Sequence, residues 1–381
     1  MKIAIIGTAF PYRGGLADFN ERLAQEMQND RHQVDIYSFS LQYPNFIFPG
    51  KSQYRKEPKP TNLQISRVLN SVNPFSWIKT GQQLKKKKYD LLIIPYWLPF
   101  MSPCLSTVAY TARKNSSSKI ISIVHNMTPH ERRLGDRFFS KLFIQQCDAF
   151  IALSKSVLTD INSFNSTKPK SLSPHPVYDN FGKEISKEEA LKNLSLDPNF
   201  SYILFFGLIR DYKGLDLLLR ALPTLKNQNV KLIIAGEYYS NKEYYQSIIK
   251  QNNLENKVIE INQFIPNDEV KNYFCVCDLV VQPYKSATQS GVTQIAYHFN
   301  KPMIVTNVGG LKEMCPNNKV GYVVEPNHIQ VGKAINRFFE EADIDELTHN
   351  ILKEKKKYSW KTFAKEVYSL SQKITTNEKH H

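Results

Sequence analysis

Residues Tyr202–Leu225 read YILFFGLIRDYKGLDLLLRALPTL, and their pattern decides the fold. An apolar run rich in aromatic and β-branched residues ends at Gly207. A loop with Arg210 and Lys213 follows, and leucines at helical spacing begin beyond Gly214. A strand, a glycine turn and a helix in that order form the repeating unit of a wound α/β sheet. The unit recurs downstream, with strands expected at Val230–Gly236, Lys257–Ile261, Asp278–Pro283 and Pro302–Thr306. It also recurs upstream, with strands at Lys2–Ile6, Gln33–Phe39, Asp90–Ile94, Lys119–Val124 and Asp148–Leu153. Helical patterns lie between these strands at Leu16–Met27, Pro74–Lys87 and Arg132–Gln146. Near-continuous apolar strands of this kind belong to parallel sheets covered on both faces. The pattern breaks over Pro176–Ser201, which reads as a linker, and then restarts. The expectation is an α/β chain of two doubly wound, Rossmann-like domains facing one another, 1–178 and 179–357. A helix within 358–376 is expected to return to the first. Ligands are expected at the carboxyl ends of the strands.

The composition fits. The 381 residues are 41% hydrophobic and 22% charged, a globular balance with room for two cores. Five scattered cysteines, with only Cys275 and Cys277 close, form neither a zinc pattern nor a disulfide framework and suit a reducing cytoplasm. The uncharged stretch Leu91–Ala112 is long enough to span a bilayer. Pro95, Pro99 and Pro103 would break such a helix three times, so a strand, a loop and a short helix are expected instead. The net charge is +15, with lysine runs at Lys85–Lys88 and Lys353–Lys357. Excess cations of this kind suit solvated helix ends, an anionic membrane face or a phosphate-bearing substrate. No nucleic-acid-binding module accompanies them, so nucleic acid is not an expected partner.

Three loops carry candidate chemistry. Gly14 and Gly15 follow the first strand and open a helix, but GTAFPYRGG lacks the G-x-G-x-x-G dinucleotide fingerprint. Arg210 and Lys213 stand at i and i+3 before a helix, a fork and a point charge suited to a diphosphate. In PYKSATQSGVTQIAYHFNKP, Pro283–Pro302, a strand leads through Ser286, Thr288 and Ser290 to Gly291 and a helix, a seat for an anion. No carboxylate and no cation occurs from Ser286 to Asn300.

FFGLIRDYKGLDLLLRAL, LIIAGE, PMIVTNVGGLKEM and GYVVEP, in this order and spacing, resemble the donor-binding half of the family-4 glycosyltransferases, which are retaining enzymes of the two-Rossmann GT-B architecture. PYRGGLADFNERLAQEM resembles their glycine loop and first helix, and IVHNMTPHE their interdomain histidine segment. The resemblance covers nearly the whole chain. It implies that Gly14 and Gly15 approach the donor. Arg210 and Lys213 would bind the diphosphate and stabilise the leaving nucleotide, with His125 near the donor sugar. Gly207, Glu237, Ser290, Gly291, Val292, Gly309 and Gly310 would surround the nucleotide sugar, UDP- or GDP-linked, with no cofactor and no metal. Tyr96 and Trp97, by aromatic stacking, and His130 and Glu131 are the acceptor-side candidates. Arg132, Arg133 and Arg137 would present a basic rim.

The family pattern also has two glutamates, which counting from Pro302 places at Ala287 and Ile295; both are absent. Gln289 and Gln294 are the neutral substitutes at hand. The expected activity is hexose transfer from a nucleotide-diphosphate sugar to a hydroxyl of a surface polysaccharide or lipid-linked oligosaccharide. It is expected in the cytoplasm, with peripheral contact to the inner membrane face. The alternatives are a GT-B-type nucleotide-sugar epimerase, which needs cleft carboxylates, and a non-catalytic nucleotide-sugar-binding protein.

Overall fold

Alternate residues of each central strand enter opposite cores: Ala4 and Ile6 pack in one cluster, Ile3 and Ile5 in another. That period of two, with both faces apolar, is what a sheet covered by helices on both sides requires. The computed structural model describes residues 1–378 apart from 45–51, 56–57, 115, 128–134, 165–166, 240 and 288–289, with backbone alone for 375–378. It divides into two units, 1–176 with 359–381, and 177–358.

The first unit contains β1 (Lys2–Ile6), β2 (Gln33–Leu41), β3 (Gln64–Asn70), β4 (Leu91–Tyr96), β5 (Lys119–Val124), β6 (Ala149–Ala152) and β7 (Lys170–Leu172). All pair in parallel, in the order β3-β2-β1-β4-β5-β6-β7. The helix Trp360–Glu378 belongs to this unit and packs on the helix Gly15–Asn29, with Trp360 and Phe363 against the ring of Phe19.

The second unit contains β8 (Ser201–Phe206), β9 (Val230–Ala235), β10 (Val258–Ile261), β11 (Leu279–Gln282), β12 (Met303–Thr306) and β13 (Gly321–Val324). These too are parallel, in the order β10-β9-β8-β11-β12-β13. In each unit the winding reverses beside the first strand, between β1 and β4 and between β8 and β11. Loops leaving those two strands diverge to opposite faces and leave a crevice at the carboxyl edge.

Pro176–Ser201 is not a bare linker. It holds the helix Lys187–Leu194, capped by Ser186, whose Oγ accepts from Glu189 N at 3.1 Å, and this segment lies within the second unit. Three strands escape the sequence reading because they are short or polar. β3 is an edge strand with polar residues outward, β7 is a three-residue edge, and β13 is four residues long. The stretch Leu91–Ala112 is β4, a 3₁₀ turn at Pro99–Met101 and a helix from Ser102. Among the described residues no helix is long and apolar enough to cross a membrane.

Candidate functional site

Four neighbouring strands of the second unit deliver candidate residues to one edge. Glu237 follows β9, Arg210 and Lys213 follow β8, Ser290 and Gly291 follow β11, and Gly309 and Gly310 follow β12. Residues a hundred positions apart thus reach one edge of the sheet. Glycines let the loops approach closely. At Gly214 φ is +68°, and an added Cβ would stand 2.0 Å from the Pro283 carbonyl oxygen; at Gly236 φ is +153°, and a Cβ would stand 2.0 Å from the Gly207 oxygen. Each contact is backbone on backbone, so no side chain fits without separating the strands' exits.

Lys213 is buried at 9% exposure, although it is a lysine in a loop. Its Nζ occupies the place of a Gly207 side chain, 3.1 Å from a Cβ built there, and lies 5.7 Å from the Tyr284 ring centroid. Arg210 is half-buried, with its guanidinium 5.0 Å from the Tyr239 ring centroid. Neither has an ion pair among the described residues. The loop's carboxylates are engaged elsewhere, since Lys285 Nζ binds Asp211 at 2.8 Å and Asp216 at 3.0 Å. Burial first, and then the charge of Arg210, push the Lys213 amine down to about 7. A buried amine held without a counter-charge costs the free protein stability, and an arriving anion would relieve that cost.

The second loop closes on the same place. Ser290 Oγ accepts from Val292 N at 3.2 Å and caps the helix Gly291–His298, and it shares a 3.2 Å hydrogen bond with Tyr284 Oη. The Val292 side chain comes within 3.8 Å of the Cβ position at Gly207. A helix N-terminus with its positive partial charge therefore borders the two cations. The sequence reading missed Tyr284, Tyr239, Gly214 and Gly236. A lone tyrosine or glycine carries no periodic signal, and only the strand register brings these residues to the site.

Ala287 and Ile295, where the family pattern has glutamates, are both buried in the hydrophobic core of the unit. Gln294 is fully buried, its Nε2 3.9 Å from Met314 Sδ. Gln289 lies outside the described residues. A glutamate at Ile295 would enter apolar surroundings and have its pKa raised, so its destabilisation would grow as pH rises above the ordinary carboxylate range. Ile295→Glu is expected to lower Tm by several degrees at neutral pH and by less near pH 4, read by thermal melting.

In the first unit, Gly14, Tyr96, Trp97 and His125 likewise stand at the carboxyl edge, after β1, β4 and β5. A Cβ built on Gly14 meets nothing within 4 Å, so the loop there borders open space. The helix Gly15–Asn29 is anchored by Glu21, whose two oxygens accept from Arg55 Nη2 at 2.8 and 2.9 Å and one of which also accepts from Phe10 N at 2.7 Å. His125 N donates to Tyr96 O at 2.8 Å, and its ring sits edge-on to Phe19 at 4.8 Å and beside His175 at 6.2 Å. Burial pushes His125 down to about 3 and His175 to about 4, so both rings are neutral at ordinary pH. Any part His125 plays is as a neutral hydrogen-bonding group.

Tyr96 does not fit the expected acceptor role. It is fully buried, stacked 4.5 Å from Phe143, and its hydroxyl is shared with Ser102 at 2.7 Å and Ser140 at 3.0 Å. The last residue of an all-buried strand packs inward, so no ring face is left for a sugar. Trp97, half-buried, donates Nε1–H to Tyr43 Oη at 2.7 Å. His130, Glu131, Arg132 and Arg133 lie outside the described residues.

Two parallel sheets wound with helices define an α/β protein of the two-Rossmann class, and the second carries at its reversal point two cations with no ion pair among the described residues, beside a capped helix. Residues 13–173 match the model of Glycosyltransferase Family 4, and residues 186–358 match that of Glycosyl transferases group 1. The chain belongs to the family-4-type glycosyltransferases of the GT-B fold. It is 24% identical to an uncharacterized glycosyltransferase of Methanocaldococcus jannaschii over 97% of both chains. It is also 24% identical to O-antigen chain mannosyltransferase C of Escherichia coli, over 83% of this chain and 82% of the relative. In fold it is similar to sucrose-phosphate synthase of Thermosynechococcus elongatus (TM-score 0.78, 16% identity, 99% of both chains). The same holds for Anabaena HepE, solved in complex with UDP-glucose (TM-score 0.74, 16% identity, all of both chains).

Proposed function

We propose that the protein transfers a hexose, with retention, from a nucleotide-diphosphate sugar to a hydroxyl of a surface polysaccharide or lipid-linked oligosaccharide. The observation that carries this reading is the pair Arg210 and Lys213 at the reversal point of the second sheet, with no ion pair among the described residues. The UDP-glucose bound by HepE and the O-antigen chain named for the Escherichia coli relative support the substrate classes. Arg210 forks onto the diphosphate oxygens, Lys213 adds a point charge, and the helix capped by Ser290 supplies its N-terminus. As the glycosidic bond breaks, charge builds on the leaving diphosphate, and cations already in place stabilise it without reorganisation. The diphosphate itself takes the acceptor's proton on the face it leaves, so no protein nucleophile, metal or cofactor is assigned. The reaction is assigned to the cytoplasmic face of the cell envelope. Incubating the protein with radiolabelled UDP- and GDP-hexoses and lipid-linked acceptors tests it. Expected is a labelled glycan whose anomeric configuration matches the donor; an inverted product, or donor hydrolysis alone with every acceptor, would overturn it.

The Lys213 shift makes donor binding depend on pH. In the free protein its amine is charged below about 7 and neutral above. A bound diphosphate favours the charged form and raises the pKa, so binding above pH 7 must take up a proton. Affinity for a donor is expected to be full below about pH 7 and to fall by up to about tenfold per pH unit above it. Calorimetry near pH 8 in buffers of different ionisation enthalpy should register the uptake, and Lys213→Met should abolish it.

A further inference from the structure

The helix Pro74–Lys87 buries Thr80, Gly81 and Leu84 and turns Phe75, Ile78, Lys79, Gln82 and Lys86 to solvent. Those five recur at i, i+3, i+4, i+7 and i+11, which is a single helix face. Phe75 is 83% exposed at the amino end. The cations gather towards the other end, where Lys85, Lys86 and Lys88 line a cavity of about 670 Å³ with Ser116, Ser117 and Asp90. Asp90 there accepts from Lys2 N at 2.6 Å. Lys79, Lys85, Lys86 and Lys88 have no ion pair among the described residues, whereas Lys87 pairs with Asp35 at 3.4 Å. Between Glu57 and Asp90 the sequence contains no carboxylate at all.

A second exposed aromatic lies in the same layer. The helix Asp136–Gln146 packs on Ser102–Arg113, which packs on Pro74–Lys87. Phe138, at its amino end, is 62% exposed and flanked by Arg137 and Lys141. In a parallel sheet the helices run against the strands. Phe75 and Phe138 therefore both sit at the carboxyl edge of the first sheet, roughly 20 Å apart by two helix spacings. Apolar rings on one rim with unpaired lysines behind them are the two attractions of an interfacial helix, insertion among acyl chains and pairing with anionic headgroups. Nucleic acid would explain the lysines but not the rings.

We infer that the helix Pro74–Lys87, with Phe138 beside it, is the surface by which this protein docks on an anionic lipid bilayer. Phe75 and Ile78 enter the headgroup boundary, Lys79, Lys85 and Lys86 pair with lipid phosphates further along the same helix, and the helix lies flat along the bilayer surface. The inference deepens the acceptor reading above but rests on residues outside the donor site. Co-sedimentation with phosphatidylcholine vesicles doped with phosphatidylglycerol tests it. Expected is binding to the doped vesicles and none to phosphatidylcholine alone. Lys79→Gln, Lys85→Gln and Lys86→Gln together should weaken binding about a hundredfold, at about fivefold per cation. Phe75→Glu should weaken it about tenfold or more. Both variants should keep the parent Tm and nucleotide-sugar affinity, since none of these residues touches the donor site. Vesicle binding that ignores phosphatidylglycerol, variants that bind like the parent, or equal capture of random duplex DNA would each overturn the inference. Failure of the parent to bind any nucleotide sugar would overturn the donor reading alone.

Discussion

Lys213→Met is expected to make the protein more stable and nearly inactive. Methionine keeps about the length of the lysine stem, while removing a buried amine that stands over the Tyr284 ring and has no ion pair among the described residues. Replacing a poorly compensated buried charge by a matched apolar side chain commonly raises stability by about 1–4 kcal/mol, so Tm should rise by a few degrees. Turnover should fall about 10²–10³-fold, the usual loss when one preorganised donor to a developing anion is deleted. Arg210→Ala should lose turnover to a similar degree without the gain in Tm, because Arg210 is only half-buried and its charge is better solvated. The opposed changes at Lys213 are the informative part. A residue kept for structure would lose stability on replacement, and one kept for neither would change nothing. A Lys213→Met protein that melts lower, or turns over like the parent, would show that the amine is not held for an anion.

Gly214→Ala is expected to be the most damaging single methyl in the second unit. The added Cβ would lie 2.0 Å from the Pro283 oxygen and 3.0 Å from its carbon, at a φ of +68°. The left-handed conformation alone costs an L-residue about 1–2 kcal/mol. The overlap adds to it, because a strand-end carbonyl cannot step aside as a side-chain tip can. A total loss of about 3 kcal/mol or more is expected by chemical denaturation, with donor affinity reduced because Lys213 is the preceding residue. Gly14→Ala provides the contrast. Its φ is +99°, but a Cβ there meets nothing within 4 Å, so only the conformational cost should appear. Equal stability losses in the two variants would mean that the β8 and β11 exits are not locked together through Gly214.

The alternation of apolar strands with amphipathic helices was legible because each central strand is buried on both faces and so carries an unbroken apolar run. β3 escaped because an edge strand keeps one side polar, and the helix Lys187–Leu194 because it hides among linker-like residues. Arg210 and Lys213 were legible as loop cations after a glycine. That Lys213 is buried was not, since Tyr284 and Val292, which lie beside it, come from the exit of β11 and the helix after it, some seventy to eighty residues away. Tyr96 misled for the opposite reason. An aromatic next to prolines and tryptophan reads as a surface cluster, yet its strand neighbours and Phe143 enclose it.

The central claim is that the reversal point of the second sheet holds a nucleotide-sugar diphosphate on Arg210 and Lys213. Calorimetric titration of UDP-, GDP- and CMP-linked sugars into the parent and into an Arg210→Ala, Lys213→Ala double variant tests it most directly. Expected is saturable binding of one donor class to the parent, and loss of about 3–6 kcal/mol in the variant, from two charge-assisted sites at 1.5–3 each. Equal binding to both proteins would place the donor elsewhere. No binding of any nucleotide sugar to the parent would mean that Ala287 and Ile295 have closed the donor site, and the transferase reading would fall.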